Sequence, residues 1–169
     1  MQQLVVFTFC QDTEEDRIRM IAEAEGGEHR CAYWLTRRLT RNLLKNSQRW
    51  LTEQYAAQMN VPHQAQGDLY DMYHDQAKDT FEQNQAMRPV NPVADVEEAR
   101  LMRQIDITVL DADQLRLTFF TGEEADAYAV MTVSYFHQLL HILQLKTEAL
   151  EWELPVEPLV ADSYQYGLQ

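Results

Sequence analysis

Hydrophobic positions along this chain change period in a set order. Runs that alternate every second residue lead into a long stretch with helical spacing, and the order occurs twice. Residues 3–10, QLVVFTFC, are β-branched and aromatic with no breaker, which predicts a strand ended by the polar cluster QDTEED. In residues 16–25, Ile18, Met20 and Ala22 alternate with Arg17, Arg19 and Ile21, nearly the period of a half-buried strand. Gly26 and Gly27 supply the positive-φ backbone of a hairpin turn, and residues 31–35 return as a third strand. The stretch 33–60 then takes helical spacing. Leu39, Leu43, Leu44, Trp50, Leu51 and Tyr55 recur near that period, while Arg37, Arg38, Arg41, Lys45 and Arg49 fall between them. This predicts a long amphipathic helix with a basic outer face, started by Thr36 as its cap.

The second half repeats the order. Residues 104–110, QIDITVL, place Ile105, Ile107 and Val109 on one face, DADQ turns the chain, and residues 115–120, LRLTFF, form the next strand. Gly122 opens a second hairpin, residues 126–133 return, and Ser134 is placed to cap a final helix with Phe136, Leu139, Leu140, Leu143 and Leu150 as its apolar stripe. Between the halves, residues 61–103 read as an insertion. Asp68 can cap a helix that puts Leu69, Met72, Tyr73, Ala77 and Phe81 on one face. The two prolines make residues 88–92 extended, and a short helix over 95–103 leads back to the sheet. The tail, 153–169, has two prolines and no helical period, and reads as an extended segment.

The expected fold is therefore α+β and one domain: an antiparallel sheet, or two facing sheets, built from a βββα unit over 3–60 and another over 104–152, with both helices on one side. The units also align in sequence. LTRRLTRNLLK at 35–45 matches MTVSYFHQLLH at 131–141, bringing Leu43 and Leu44 onto Leu139 and Leu140, and DRIRM resembles DQLRL. This is read as an internal pseudo-repeat. In layout alone it is similar to the PUR-repeat and Whirly single-strand-binding folds, which also repeat strands and then a helix. No residue-level motif extends that likeness.

Composition sharpens this picture in few places. A chain of 169 residues can bury about 70% of its unfolded surface without staples. Its net charge of −13 repels polyanions at long range, so membranes and bulk DNA are poor default partners. The apolar run LVVFTFC is too short for a signal-peptide core and lacks a basic leader, and no stretch has the length to cross a bilayer; a cytoplasmic protein is expected. Cys10 and Cys31 are expected as reduced residues in apolar surroundings.

Candidate chemistry is thin. His137 and His141 stand four apart and share a helix face, which is half of what a zinc site needs. No HExxH, no CxxC and no third ligand at a telling spacing accompanies them, and they align with Arg41 and Lys45, so a polar helix face is the expected reading, with no metal and no cofactor. Asp12, Glu14, Glu15 and Asp16 read as a solvated turn, and no nucleophile elbow or phosphate-binding glycine loop is present. Phe7, Phe9, Tyr33, Trp34, Phe119 and Phe120 sit in strands, as core or as a base-stacking platform; by alternation one of Phe119 and Phe120 faces away from the other. A sheet covered on one face also leaves a second face to account for, and dimerisation is the common answer. The leading expectation is a non-catalytic interaction or structural subunit that forms a homodimer or larger assembly and presents Arg37, Arg38, Arg41, Lys45 and Arg49 to an acidic partner. A single-stranded nucleic-acid binder is the alternative, opposed by the net charge. An enzyme with an unrecognised carboxylate site comes third.

Overall fold

Alternating stretches form strands and the change to helical spacing forms helix, in the order read from the chain. A computed structural model describes residues 1–25, 29–59 and 98–153, with Met72 and Asp75 besides. Its strands are β1 (Gln2–Asp12), β2 (Arg17–Ala24), β3 (Arg30–Leu35), β4 (Arg100–Leu101), β5 (Gln104–Val109), β6 (Gln114–Phe120) and β7 (Ala125–Thr132). Two helices follow the third and seventh of these, α1 (Arg37–Met59) and α2 (Val133–Ala149). The class is α+β. The glycine turn at 26–27, the body of the helix expected from Asp68, the extended 88–92 stretch and the tail from 154 lie outside the described residues.

β1, β2 and β3 form one antiparallel meander, and β5, β6 and β7 another. The expected antiparallel sheet is nevertheless mixed. β1 pairs parallel with β7, Gln2 opposite Ala127, giving the order β4-β3-β2-β1-β7-β6-β5 in one seven-stranded sheet. Two three-strand meanders set side by side in the same direction bring like-directed outer strands together, so their junction must be parallel.

This sheet curls on itself. β3 and β6 are four strand steps apart, about 19 Å on a flat sheet. Yet the rings of Tyr33 on β3 and Phe119 on β6 stack with centroids 6.4 Å apart. Backbone bonds close the curl: the Met102 N–H donates to the Trp34 carbonyl of β3 at 3.0 Å, and the Arg103 N–H donates to the Phe120 carbonyl of β6 at 2.8 Å. The chain from Arg100 to Val109 thus leaves one sheet edge and joins the other. This overturns the short helix expected over 95–103 for its described part, because residues 98–103 hold no helix and Arg100 and Leu101 pair with Tyr33 and Trp34. An edge strand leaves a row of N–H and C=O groups unpaired, and here a single extended stretch satisfies groups on both edges.

Inside the curl lie Phe7, Phe9, Met20, Tyr33, Leu117 and Phe119, packed with Phe136, Leu139, Leu140 and Leu143 of α2. Both helices occupy this side. Leu43 of α1, the same four α2 side chains and sheet residues such as Phe9 and Leu117 line one apolar cavity of about 30 Å³, and Trp50 meets Phe136 edge-on at 6.4 Å. The residue that caps α2 is Thr132 and not Ser134. Its hydroxyl accepts the Tyr135 N–H at 3.2 Å, so the helix leaves β7 with no loop between. At the other end Glu151 takes a left-handed φ of 53°, and the Trp152 N–H returns to the Thr147 carbonyl at 3.0 Å, which closes the last turn. The buried Trp152 indole donates to Asp16 Oδ1 at 2.5 Å and so ties α2 to the β1–β2 turn.

Candidate functional site

Helix α1 begins where its sequence predicts, with the Thr36 hydroxyl accepting the Leu39 N–H at 3.2 Å. Leu51 is fully buried, and Leu39, Leu43, Leu44 and Trp50 pack partly buried against the core. That anchoring turns the opposite face outward, and Arg37, Arg38, Arg41, Lys45 and Arg49 are all exposed. Arg49 pairs with Glu53 one turn on, Nε to Oε1 at 3.0 Å. Among the described residues the side chains of Arg37, Arg38 and Arg41 have no hydrogen-bond or ion-pair partner. They crowd the start of a helix whose first turn holds no acidic residue. A helix N-terminus carries a partial positive charge that disfavours cations, so the fold itself gains nothing from this arrangement.

Apolar spacing did not reveal everything on the inner face. Thr40 and Ser47, two turns apart, are as buried as Leu51, and neither hydroxyl has a hydrogen-bond partner among the described residues. Hydroxyl residues count as polar in a periodicity reading, which is why they stayed hidden. On α2 the correction is larger. His137 and His141 are 1% and 7% exposed, not on a solvated polar face, and Gln138 and Thr147 are buried beside them in the same helix. Their alignment with the exposed Arg41 and Lys45 therefore carries no likeness of environment. Among the described residues no group of three or more His, Cys, Asp or Glu side chains is placed to hold a metal ion.

Strand alternation sorts the aromatic residues. Phe7, Phe9, Tyr33 and Phe119 point into the curl, whereas Trp34 and Phe120 are half-buried on the outer face. The Arg19 guanidinium lies 6.0 Å from the centre of the Trp34 ring, directly across the β2–β3 ladder. Arg116 lies 5.3 Å from the Tyr128 ring, whose hydroxyl donates to Gln3 Oε1 at 3.1 Å. Arg30 and Glu23 pair at 2.7 Å on the same face, and Ile21 and Ala32 are buried between these rows. The outer face is thus a mixture of arginine, aromatic and small polar residues rather than the bare apolar sheet from which dimerisation was expected.

One constellation had no sequence signal at all. The Tyr33 hydroxyl donates to Asp126 Oδ2 at 2.7 Å, Arg100 Nη1 reaches Asp126 Oδ1 at 2.5 Å, and the Arg100 guanidinium lies 5.2 Å from the Tyr33 ring. Burial first, then the adjoining Cys31 and Asp126, push the Tyr33 hydroxyl far above its ordinary value. These residues join β3, β4 and β7 beside the point where the sheet edges meet. No spacing marks partners 93 and 26 positions apart in sequence. Cys10 and Cys31 are unbridged and half-buried. No helix among the described residues is long and apolar enough to cross a membrane. No family model, curated protein or solved structure matches this chain.

Proposed function

We propose that this protein is a non-catalytic interaction subunit whose α1 helix docks on an acidic protein surface. Charge left unpaired supports the reading. The chain holds 27 acidic and 14 basic side chains, so carboxylates are in surplus, yet Arg37, Arg38 and Arg41 are exposed with no carboxylate partner among the described residues. An arginine kept only to support its helix would find a carboxylate one turn away, as Arg49 does with Glu53. Lys45 and Arg49 extend the same stripe by two further turns. The reading includes self-association, because a second copy with a net charge of −13 itself offers an acidic surface.

We further read the two βββα halves as copies of one module separated by a helical insertion. Thr36 and Thr132, which fall on each other in the 35–45 and 131–141 alignment, are the caps of the two helices. Light scattering and salt-graded pull-downs on wild type and on Arg38→Glu with Arg41→Glu test the docking role. The variant is expected to keep its circular dichroism spectrum and lose assembly or partner capture, since truncating charges at a desolvated contact costs about 2–5 kcal/mol of binding. Unfolding of the variant, or capture equal to wild type, withdraws the reading.

A further inference from the structure

We propose that the outer face of the curled sheet binds single-stranded nucleic acid, with Arg19 and Trp34 forming one stacking subsite and Arg116 and Tyr128 a second. The two arginines hold matching places, each the third residue of its strand, β2 and β6, within the similar runs DRIRM and DQLRL. Both turn away from the core and both lie over an aromatic ring. Their Nε atoms are buried, and among the described residues those atoms have no hydrogen-bond partner and neither guanidinium forms an ion pair, despite the surplus of carboxylates. Arg30, on the same face, shows the other outcome, since it is neutralised by Glu23 at 2.7 Å.

Two cations, each over a ring, without an ion-pair partner among the described residues and repeated along one face, describe their ligand. A guanidinium plane carries donors suited to phosphate, and the ring beside it offers a surface on which a base can stack. β2 and β6 are separated by three strand steps, about 14 Å along the sheet. Equal subsites at a fixed spacing suit a polymer that repeats an anion and a planar group together. An acidic peptide would satisfy the arginines and leave the rings idle, while a duplex hides its base faces. Leu101, exposed and opposite Trp34 in the β3–β4 ladder, and the half-buried Phe120 add apolar surface near the point where the edges meet. The net charge of −13 opposes any polyanion at long range, so the contact depends on these local donors and is strongly salt-dependent.

The experiment is fluorescence anisotropy with a labelled oligothymidylate of about 12 nucleotides, within the usual length of such sites, across a salt series. Wild type is expected to bind at low salt, and Arg19→Gln and Arg116→Gln are each expected to weaken binding about tenfold. Each removed phosphate contact also lowers the slope of log affinity against log salt by about 0.7, a change that a merely structural arginine would not produce. Trp34→Phe retains binding and Trp34→Leu loses it, with circular dichroism to confirm that both fold. Absence of wild-type binding overturns the proposal, as do unchanged affinities in the two arginine variants. Equal competition by poly-L-glutamate or by a duplex of the same length also overturns it. Arg38→Glu with Arg41→Glu, on α1 and not on the sheet, still binds the oligonucleotide in proportion to the altered net charge only, which keeps this test separate from that of α1.

Discussion

α1 and α2 each follow a three-strand meander, and each starts from a threonine that accepts an N–H three residues on at 3.2 Å. Beyond that first turn they part. α2 packs on β1, the middle strand of the sheet, and its neighbour β7, and buries even His137, Gln138 and Thr147 along with Leu139, Leu140 and Leu143. α1 meets α2 through Trp50, buries Leu51 in the core and leaves its arginines exposed. A sheet that curls until its edges meet has room for one helix against its middle, so a second helix that likewise follows a meander can be covered on one side only. Matched positions in sequence therefore need not share an environment. α1, kept from the sheet's interior, leaves its basic residues exposed.

The contrast is most easily broken at the core. Phe136→Ala removes a ring that is 1% exposed and should destabilise the protein by about 3–5 kcal/mol. Leu44→Ala, in a half-buried position of α1, should cost about half that or less. Urea denaturation of both variants measures the difference. Equal losses would mean that α1 is as much a core helix as α2.

A second test concerns the closure that creates the contrast. Tyr33→Phe keeps the ring stacked on Phe119 but deletes the hydroxyl that donates to Asp126, a bond to a carboxylate worth about 1.5–3 kcal/mol. Because burial raises the Tyr33 pKa above its ordinary 10.0, the folded chain holds the phenol proton more tightly than the unfolded chain does. That stability is complete below pH 10.0 and falls as the pH rises beyond it. The gap in stability between wild type and Tyr33→Phe should accordingly narrow under alkaline conditions. A constant gap from neutral to strongly alkaline pH would show that the hydroxyl is not enclosed.

Much of this architecture was legible in sequence because periodicity reports which side of an element is covered. Ile18, Met20 and Ala22 read as an inward row and are one, and Leu39, Leu43 and Leu44 read as the anchored side of α1. What periodicity does not carry is closure. Arg100 to Arg103 were expected as helix because nothing local shows that two sheet edges will converge on them. The Tyr33, Asp126 and Arg100 cluster is invisible for the same reason. Burial of His137, His141, Thr40 and Ser47 escaped because a polar side chain is read as outward until its neighbours are known. On the candidate surface, exposure of Arg37, Arg38 and Arg41 followed from the stripe, whereas the Arg19–Trp34 and Arg116–Tyr128 pairs needed strand register to bring their members together.

Smaller effects test what the halves share. Thr36→Ala and Thr132→Ala each remove a capping hydroxyl and should each cost about 1 kcal/mol. If the helices begin by the same device, the two losses agree within error in thermal denaturation. A large loss at Thr132 beside none at Thr36 would mean that the start of α1 is held by other contacts, and the likeness between the halves would shrink to strand order.

The smallest change in stability belongs to the residues assigned the largest role in recognition. Arg38 lies in the first turn of α1, where the helix dipole disfavours a cation, and neither Arg38 nor Arg41 has a partner to lose among the described residues. Replacing Arg38 with glutamate puts a favoured charge at that end, worth about 0.3–1 kcal/mol in the stabilising direction. Arg41, a turn further on, lies beyond most of the dipole's reach, and added acidity in a chain at −13 offsets part of the gain. Arg38→Glu with Arg41→Glu should therefore melt at the same temperature as wild type or slightly above it, and the small difference should shrink as salt is added. Marked destabilisation would show that these arginines already hold an anion within the protein. An unchanged or raised melting temperature together with lost partner capture would mean that the chain keeps an unfavourable pair of charges at the head of α1 for the sake of what binds there.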